Sequence, residues 1–240
     1  MRYYIINNTL DLKIAGKYPQ VQDAHYYCSI FDEPRFIDHL NFQETINDPI
    51  VAHAILSQRA NPTDLLSADI AGFHLRLLIS GKLKAVFEST RQPKMQFYNT
   101  PVIWGNDILK DYWVLNMFGL DFGNVDIQKS EVVLRKRKPE GGTYLSSLSF
   151  DTTKEFLNMI EEDQLEGKLY MQTTVFRENT NDDLIVLKYV DGGAKYYVSE
   201  KLKTSIEEIG CTGLEFQPSE ISFNEWLKKD GQREKIYGKV

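Results

Sequence analysis

The sequence has little with which to staple a fold or hold a metal. Its two cysteines, Cys28 and Cys211, stand near opposite ends of the chain, which is neither a zinc spacing nor a disulfide framework and fits a reducing compartment. Its four histidines, His25, His39, His53 and His74, are widely spaced in unlike contexts and form no metal set. No stretch is apolar for long enough to span a bilayer, and the run after Met1 is too short for a signal peptide. Phosphate loops, Gly-x-Gly-x-x-Gly turns and Gly-x-Ser-x-Gly elbows are also missing, so nucleotide, dinucleotide and serine-hydrolase chemistry have no recognisable motif. These absences lead us to expect a cytoplasmic protein with no cofactor, no membrane partner and no enzymatic activity.

What is present is globular in character. The chain has 240 residues, 42% of them hydrophobic and 26% charged, enough for one large domain or two lobes with cores of their own. The net charge of −6 repels a nucleic-acid backbone and attracts a basic protein. Residues 228–240 form a polar tail, with five bases and two acids between Lys228 and Lys239, and are expected to be a solvated terminus.

An internal repeat organises the rest. Tyr3-Tyr4-Ile5-Ile6-Asn7 matches Tyr112-Trp113-Val114-Leu115-Asn116 class for class. Further on, Ile79-Ser80-Gly81-Lys82-Leu83-Lys84 matches Val198-Ser199-Glu200-Lys201-Leu202-Lys203, and the same offset pairs Glu88 with Glu207, Phe97 with Phe216, and Asp64-Leu65 with Asp183-Leu184. Six of the 19 positions from Ile79 to Phe97 are identical where average usage gives roughly one, so the match carries a signal. The two offsets differ, which predicts an insertion in the second half. Arg135-Lys136-Arg137-Lys138-Pro139-Glu140-Gly141-Gly142 is the natural place for it, as an exposed turn between strands.

In each copy a strand leads through a serine N-cap, Ser80 or Ser199, into a short helix. Phe73, Leu75, Leu77 and Ile79 alternate with polar residues as in a half-buried strand. Leu83, Val86 and Phe87, like Leu202 and Ile206, fall at helical spacing. Gly210 closes the second helix, and Leu214–Pro218 restarts a strand. Elsewhere Thr153 is placed to cap a helix with Phe156, Leu157, Ile160 and Leu165 inside and Glu155, Glu161, Glu162 and Asp163 outside. Residues 169–177 and 184–190 read as strands, and Ser222-Phe223-Asn224-Glu225 has capping-box spacing. The expected fold is α+β, mainly antiparallel sheets with short helices and a pseudo-duplicated strand-helix-strand unit. Its lobes are expected at 1–108 and 109–227, the second with the insertion near 135–142.

The nearest approach to chemistry is His25 with Cys28, a base and a thiol three residues apart but without an orienting partner. The repeated Ser-x-Lys is explained by capping. Asp121, Asp126 and Glu131 are carboxylates that folding could bring together, and Asp121-Phe122-Gly123-Asn124-Val125-Asp126 lacks the ligand spacing of a calcium loop.

The arrangement resembles a family of bacterial immunity proteins, the one numbered eleven, which are encoded beside polymorphic toxins. The resemblance is carried by Tyr112–Asn116, Asp126–Ser130, Val175–Arg177, Val198–Lys203 and Thr212–Phe216, and covers about Asp64 to Ile221. It implies a cytoplasmic protein that neutralises a cognate toxin or effector domain by forming a stable complex. The expected contact is the acidic patch Glu161, Glu162, Asp163 and Glu166, which would suit a basic partner. Two other classes stay open: an adaptor or chaperone for a secreted effector, and a hydrolase with dispersed carboxylates or a Cys28 nucleophile.

Overall fold

The computed structural model describes residues 1–90, 94–162 and 166–239. In chain order its elements are β1 Tyr3–Asn8, α1 Leu12–Ala15, β2 Val21–His25, β3 His53–Leu56, β4 Leu65–Leu66, β5 Leu77–Ser80, α2 Gly81–Glu88, β6 Met95–Asn99, β7 Val102–Trp104, β8 Asp107–Leu109 and β9 Tyr112–Met117. Then follow β10 Val132–Arg137, β11 Thr143–Leu148, α3 Thr153–Glu161, β12 Lys168–Met171, β13 Leu184–Val190, β14 Gly193–Ser199, α4 Glu200–Glu208, β15 Leu214–Pro218, α5 Phe223–Trp226 and α6 Gln232–Tyr237. The fold is α+β, with mostly antiparallel sheets and short helices.

One compact unit comprises Met1–Ile6, Leu120–Glu200 and Phe216–Ile236. It is built on a seven-stranded sheet ordered β11-β10-β12-β13-β14-β1-β15, in which β12 and β13 run parallel. Apolar residues at alternate positions of its strands, such as Val132 and Leu134 or Leu169 and Met171, form a core with Phe122, Phe150 and Phe156. Phe156 brings α3 into that core, fully buried at 0% exposure. The cap of α3 is Thr152, whose hydroxyl accepts from the Glu155 N–H, one residue before the threonine expected from the sequence. The strand expected over 169–177 stops at Met171, because from Gln172 onward the backbone bonds to loop residues: Gln172 N donates to Glu131 O and Thr174 N to Ser219 O.

The other unit comprises Asn7–Gly119, Lys201–Glu215 and the residues from Tyr237. It holds two four-stranded sheets, β2-β3-β7-β8 and β4-β5-β9-β6. Val21, Ala54, Leu56, Phe73, Leu78, Val102 and Val114 share one core. The strand expected from Phe73 onward begins only at Leu77. Arg76, expected to be wet, is buried, its guanidinium bonded to Asp38 Oδ1 at 3.2 Å and Ile37 O at 2.6 Å. Asp38 also accepts from Gly72 N at 2.6 Å, so a salt-bridged turn replaces the first half of the expected strand.

The repeated sequences occupy closely matching settings. Strand order β4-β5-β9-β6 in one sheet corresponds to β13-β14-β1-β15 in the other. Leu65 pairs with Ile79 as Leu184 pairs with Val198, and Ser80 pairs with Tyr112 as Ser199 pairs with Tyr3. The Tyr112 hydroxyl donates to Thr63 O at 2.9 Å and the Tyr3 hydroxyl to Asp182 O at 2.8 Å. Ser80 donates to Asp64 and Ser199 to Asp183, at 2.6 and 2.5 Å.

The pairing crosses the expected lobe boundary. β9, from the expected second lobe, lies between β5 and β6, and β1, from the expected first lobe, lies between β14 and β15. The units are therefore discontinuous, and the expected cut at 108/109 falls inside β8. β1 and β9 are both interior to their sheets, because pairing satisfies the N–H and C=O groups of whichever backbone lies alongside, whatever its distance along the chain. The C-terminal segment also differs from expectation. It forms α6, and Arg233 is buried at 2% exposure.

Candidate binding surface

The two edges of the seven-stranded sheet are built differently. β15 is buried along Glu215–Pro218 and ends in a proline, which cannot donate to a further strand. β11 is exposed or half-exposed along its whole length and, among the described residues, pairs only with β10. Its sequence, Thr143-Tyr144-Leu145-Ser146-Ser147-Leu148, holds no charge and no proline. Tyr144 and Leu145 are 44% and 43% exposed. In an antiparallel pair alternate residues turn their N–H and C=O groups away from the neighbour, so one row of backbone donors and acceptors on β11 faces outward.

The charge sits one strand in. Arg135, Lys136 and Arg137 stand opposite Leu145, Tyr144 and Thr143 in the β10–β11 ladder, and on the other side Arg135 stands opposite Lys168. Like charges directly opposite in a ladder repel. Arg135 is held by the Tyr170 ring, 5.2 Å from its guanidinium carbon, and donates to the Tyr170 hydroxyl at 2.8 Å. Among the described residues Lys136, Arg137 and Lys168 have no carboxylate within ion-pairing distance. These four bases, with Thr143, Tyr144, Glu166 and Gly167, line an open cleft of about 520 Å³ at the hairpin end.

Local sequence explains the cleft. Gly141 and Gly142 have φ of +98° and +81°, which lets the chain reverse tightly between the strands. Gly167 has φ +139°, and a Cβ there would lie 2.5 Å from Arg135 O, so only glycine lets β12 start this close to β10. The sequence places a turn here correctly, but three of its four bases belong to β10 itself.

The expected acidic patch is not one helix face. α3 ends at Glu161, Glu162 is its extended C-cap residue, and Asp163 lies outside the described residues. Glu166 lines the basic cleft. Glu161 and Glu162 sit at the negative end of the α3 dipole, where an acidic side chain is disfavoured. The helix stops early because Glu162 takes φ −73° and ψ +109°.

The other sequence candidates are dispersed. His25 pairs with His53 across β2 and β3, and Tyr27 bonds His53 Nδ1 at 2.7 Å. Burial, aided by His25, lowers the basicity of His53. Burial and Glu33, against Arg35, push the Cys28 thiol upward, which disfavours the nucleophilic thiolate. Asp121 caps a 3-10 turn over Phe122–Asn124, Asp126 pairs with Lys129 at 3.0 Å, and Glu131 N donates to Thr173. Among the described residues no three His, Cys, Asp or Glu side chains could hold a metal together, and no helix is long and apolar enough to cross a membrane.

Two polar clusters outside the expectations have structural explanations. Burial raises the Asp191 carboxyl, against Lys195 and Arg135, and burial lowers the Lys195 ammonium, against Asp191. Asp191 and Gly192 have φ of +48° and +77°, the signature of a type I′ hairpin turn between β13 and β14. Asp64 accepts from Ser80 at 2.6 Å, Lys82 at 2.8 Å and Thr212 N at 2.7 Å. Burial raises its carboxyl, but these bonds outweigh burial and hold it below the usual range. The cluster ties β4, α2 and the loop before β15 together. Cys211 beside it is pushed up to about 11 by burial and Asp64, against Lys82.

No protein-family model matches the chain, and no curated protein matches it.

Proposed function

We propose that this protein acts by binding another protein, and that the partner is a toxin or effector domain which it neutralises in the cytoplasm. The observation that carries the binding half is the exposed β11 edge, where outward backbone groups lie beside half-exposed Tyr144 and Leu145. Such an edge invites a further strand, and a protein that leaves one bare either uses it or risks aggregation. The neutralising half rests on the resemblance of Tyr112–Asn116, Val198–Lys203 and Thr212–Phe216 to the immunity family. Inhibition by occlusion needs a stable complex and no chemistry in the inhibitor, and fold alone assigns no activity.

The test is growth. The product of the neighbouring reading frame is expressed with and without this chain, and the two are then assayed as purified proteins for a complex. Restored growth with a stoichiometric complex is the expected result. Restored growth without a complex points to enzymatic reversal of damage. A complex without protection points to an adaptor or chaperone for a secreted effector.

A further inference from the structure

We infer that β11 receives an acidic, extended segment of a partner protein as an eighth strand, whose carboxylates enter the basic cleft at the hairpin end. The inference rests on the protein-binding reading above and adds the docking mode and the chemistry of the partner.

Two independent features meet at this place. The first is the backbone row of β11, which fixes the shape of the occupant as an extended strand, about 4.8 Å from β11. The second is charge. Arg137 lies behind Thr143, whose side chain is short, and Lys136 lies behind Tyr144. Lys136 and Arg137 point to opposite faces of the sheet. A strand laid along β11 therefore brings the side chains of one of its faces toward the long stem of Arg137 and those of the other toward Lys136. Lys136, Arg137 and Lys168 have no carboxylate partner among the described residues, and Arg135 and Lys168 face each other across the ladder. Carboxylates arriving on the partner form new ion pairs with the bases nearest β11.

The same features weigh against other occupants. A second copy of this chain pairing through β11 would bring up Thr143–Leu148, which has no carboxylate, and would leave the one carboxylate lining the cleft, Glu166, set against four bases. A nucleic acid would match the charge but not the outward backbone row, and the chain as a whole carries −6. The charge also inverts the expectation drawn from composition: the net charge favours a basic partner, whereas the exposed edge favours an acidic one.

The experiment uses the full chain and fluorescent hexapeptides. One probe alternates glutamate with valine, one replaces each glutamate by lysine, and one replaces each valine by proline. A single-stranded oligothymidine of similar length is the fourth probe. The glutamate–valine peptide is expected to bind at least tenfold more tightly than the lysine or proline forms, and to slow amide exchange within Thr143–Leu148. Lys136→Glu with Arg137→Glu should weaken it at least tenfold. The milder pair Lys136→Gln with Arg137→Gln should weaken it severalfold, and circular dichroism checks that both variants fold.

Equal binding of the proline form, or binding with no change of exchange in β11, would overturn strand addition. Tighter binding of oligothymidine than of the acidic peptide would assign the cleft to nucleic acid and sink the proposal. So would a concentration-dependent dimer that the Glu variants leave intact and that protects β11 without peptide. The neutralising reading is read separately, from growth. If the unmodified chain fails to protect cells while the acidic peptide still docks, the docking mode stands and the toxin reading falls.

Discussion

The sheet around β5 and the sheet around β14 are built to one register, yet they differ at one contact that shows how matched frames tolerate unlike residues. Gly81 follows Ser80, and its N–H donates to Asp111 O at 2.9 Å; Glu200 follows Ser199, and its N–H donates to Arg2 O at 3.0 Å. A Cβ at Gly81 would lie 2.2 Å from the Asp111 carboxylate, which is itself held by Trp113 Nε1 at 3.0 Å. At the matching place the neighbour is Arg2, and Glu200 is accommodated, accepting from the Tyr4 hydroxyl at 3.4 Å. The backbone is common to both, and the side chains have exchanged a carboxylate from one strand to the other. Descent of the two modules from one ancestral copy is our proposal for this correspondence.

The comparison breaks most easily at the two acids that accept from the capping serines. Asp64→Ala leaves Ser80 and Thr212 N without the acceptor they share and removes the ion pair of Lys82, which keeps its bond to Gly210 O. It should cost about 2–3 kcal/mol, discounted for the half-exposed Lys82. Asp183→Ala should cost the same within about 1 kcal/mol. Native-state amide exchange, resolved to each sheet, measures both, and a difference above about 2 kcal/mol would mean that the modules are alike only in outline. Next in size is the exchanged contact. Gly81→Glu should destabilise by about 1–2 kcal/mol through crowding and like-charge repulsion against Asp111, and adding Asp111→Arg should recover at least half of that, as seen in denaturant midpoints.

Smaller still are the tyrosines. Tyr112→Phe and Tyr3→Phe each remove one hydroxyl bond to a backbone carbonyl and should each cost about 1 kcal/mol, with no preference for either sheet. The smallest effect is on acid stability. The folded Asp64 carboxyl lies below its ordinary value, so its contribution is complete above the unfolded value of about 3.9 and fades as the pH falls through the folded one. Acid titration of the wild type and Asp64→Asn should therefore converge below about pH 4. Curves that stay parallel there would remove Asp64 as the cause.

Much of the local structure was legible. The Ser222 capping box forms with both of its bonds, Ser80 accepts from Leu83 N, and Gly210 takes φ +73° after α4. Each depends on groups three or four residues apart, which the sequence displays directly. Arg76 was not legible, since nothing near it in sequence announces Asp38 as a partner. The candidate surface was half legible. Three of its bases, Arg135, Lys136 and Arg137, were visible in the sequence as part of a turn, whereas Lys168 and the uncharged strand β11 gained meaning only from the order of strands in the sheet.

From its order of residues alone this chain determined several helix caps, the turn between β10 and β11, and that two stretches share one pattern. Those choices rest on bonds closed within one or two turns of backbone, at little cost in loop entropy. Tertiary structure decided that β1 is set between β14 and β15, that β9 is set between β5 and β6, and that β11, among the described residues, pairs on one side alone. Strand pairing satisfies any backbone that arrives in register, so sequence can propose strands but the assembled sheets alone select their neighbours.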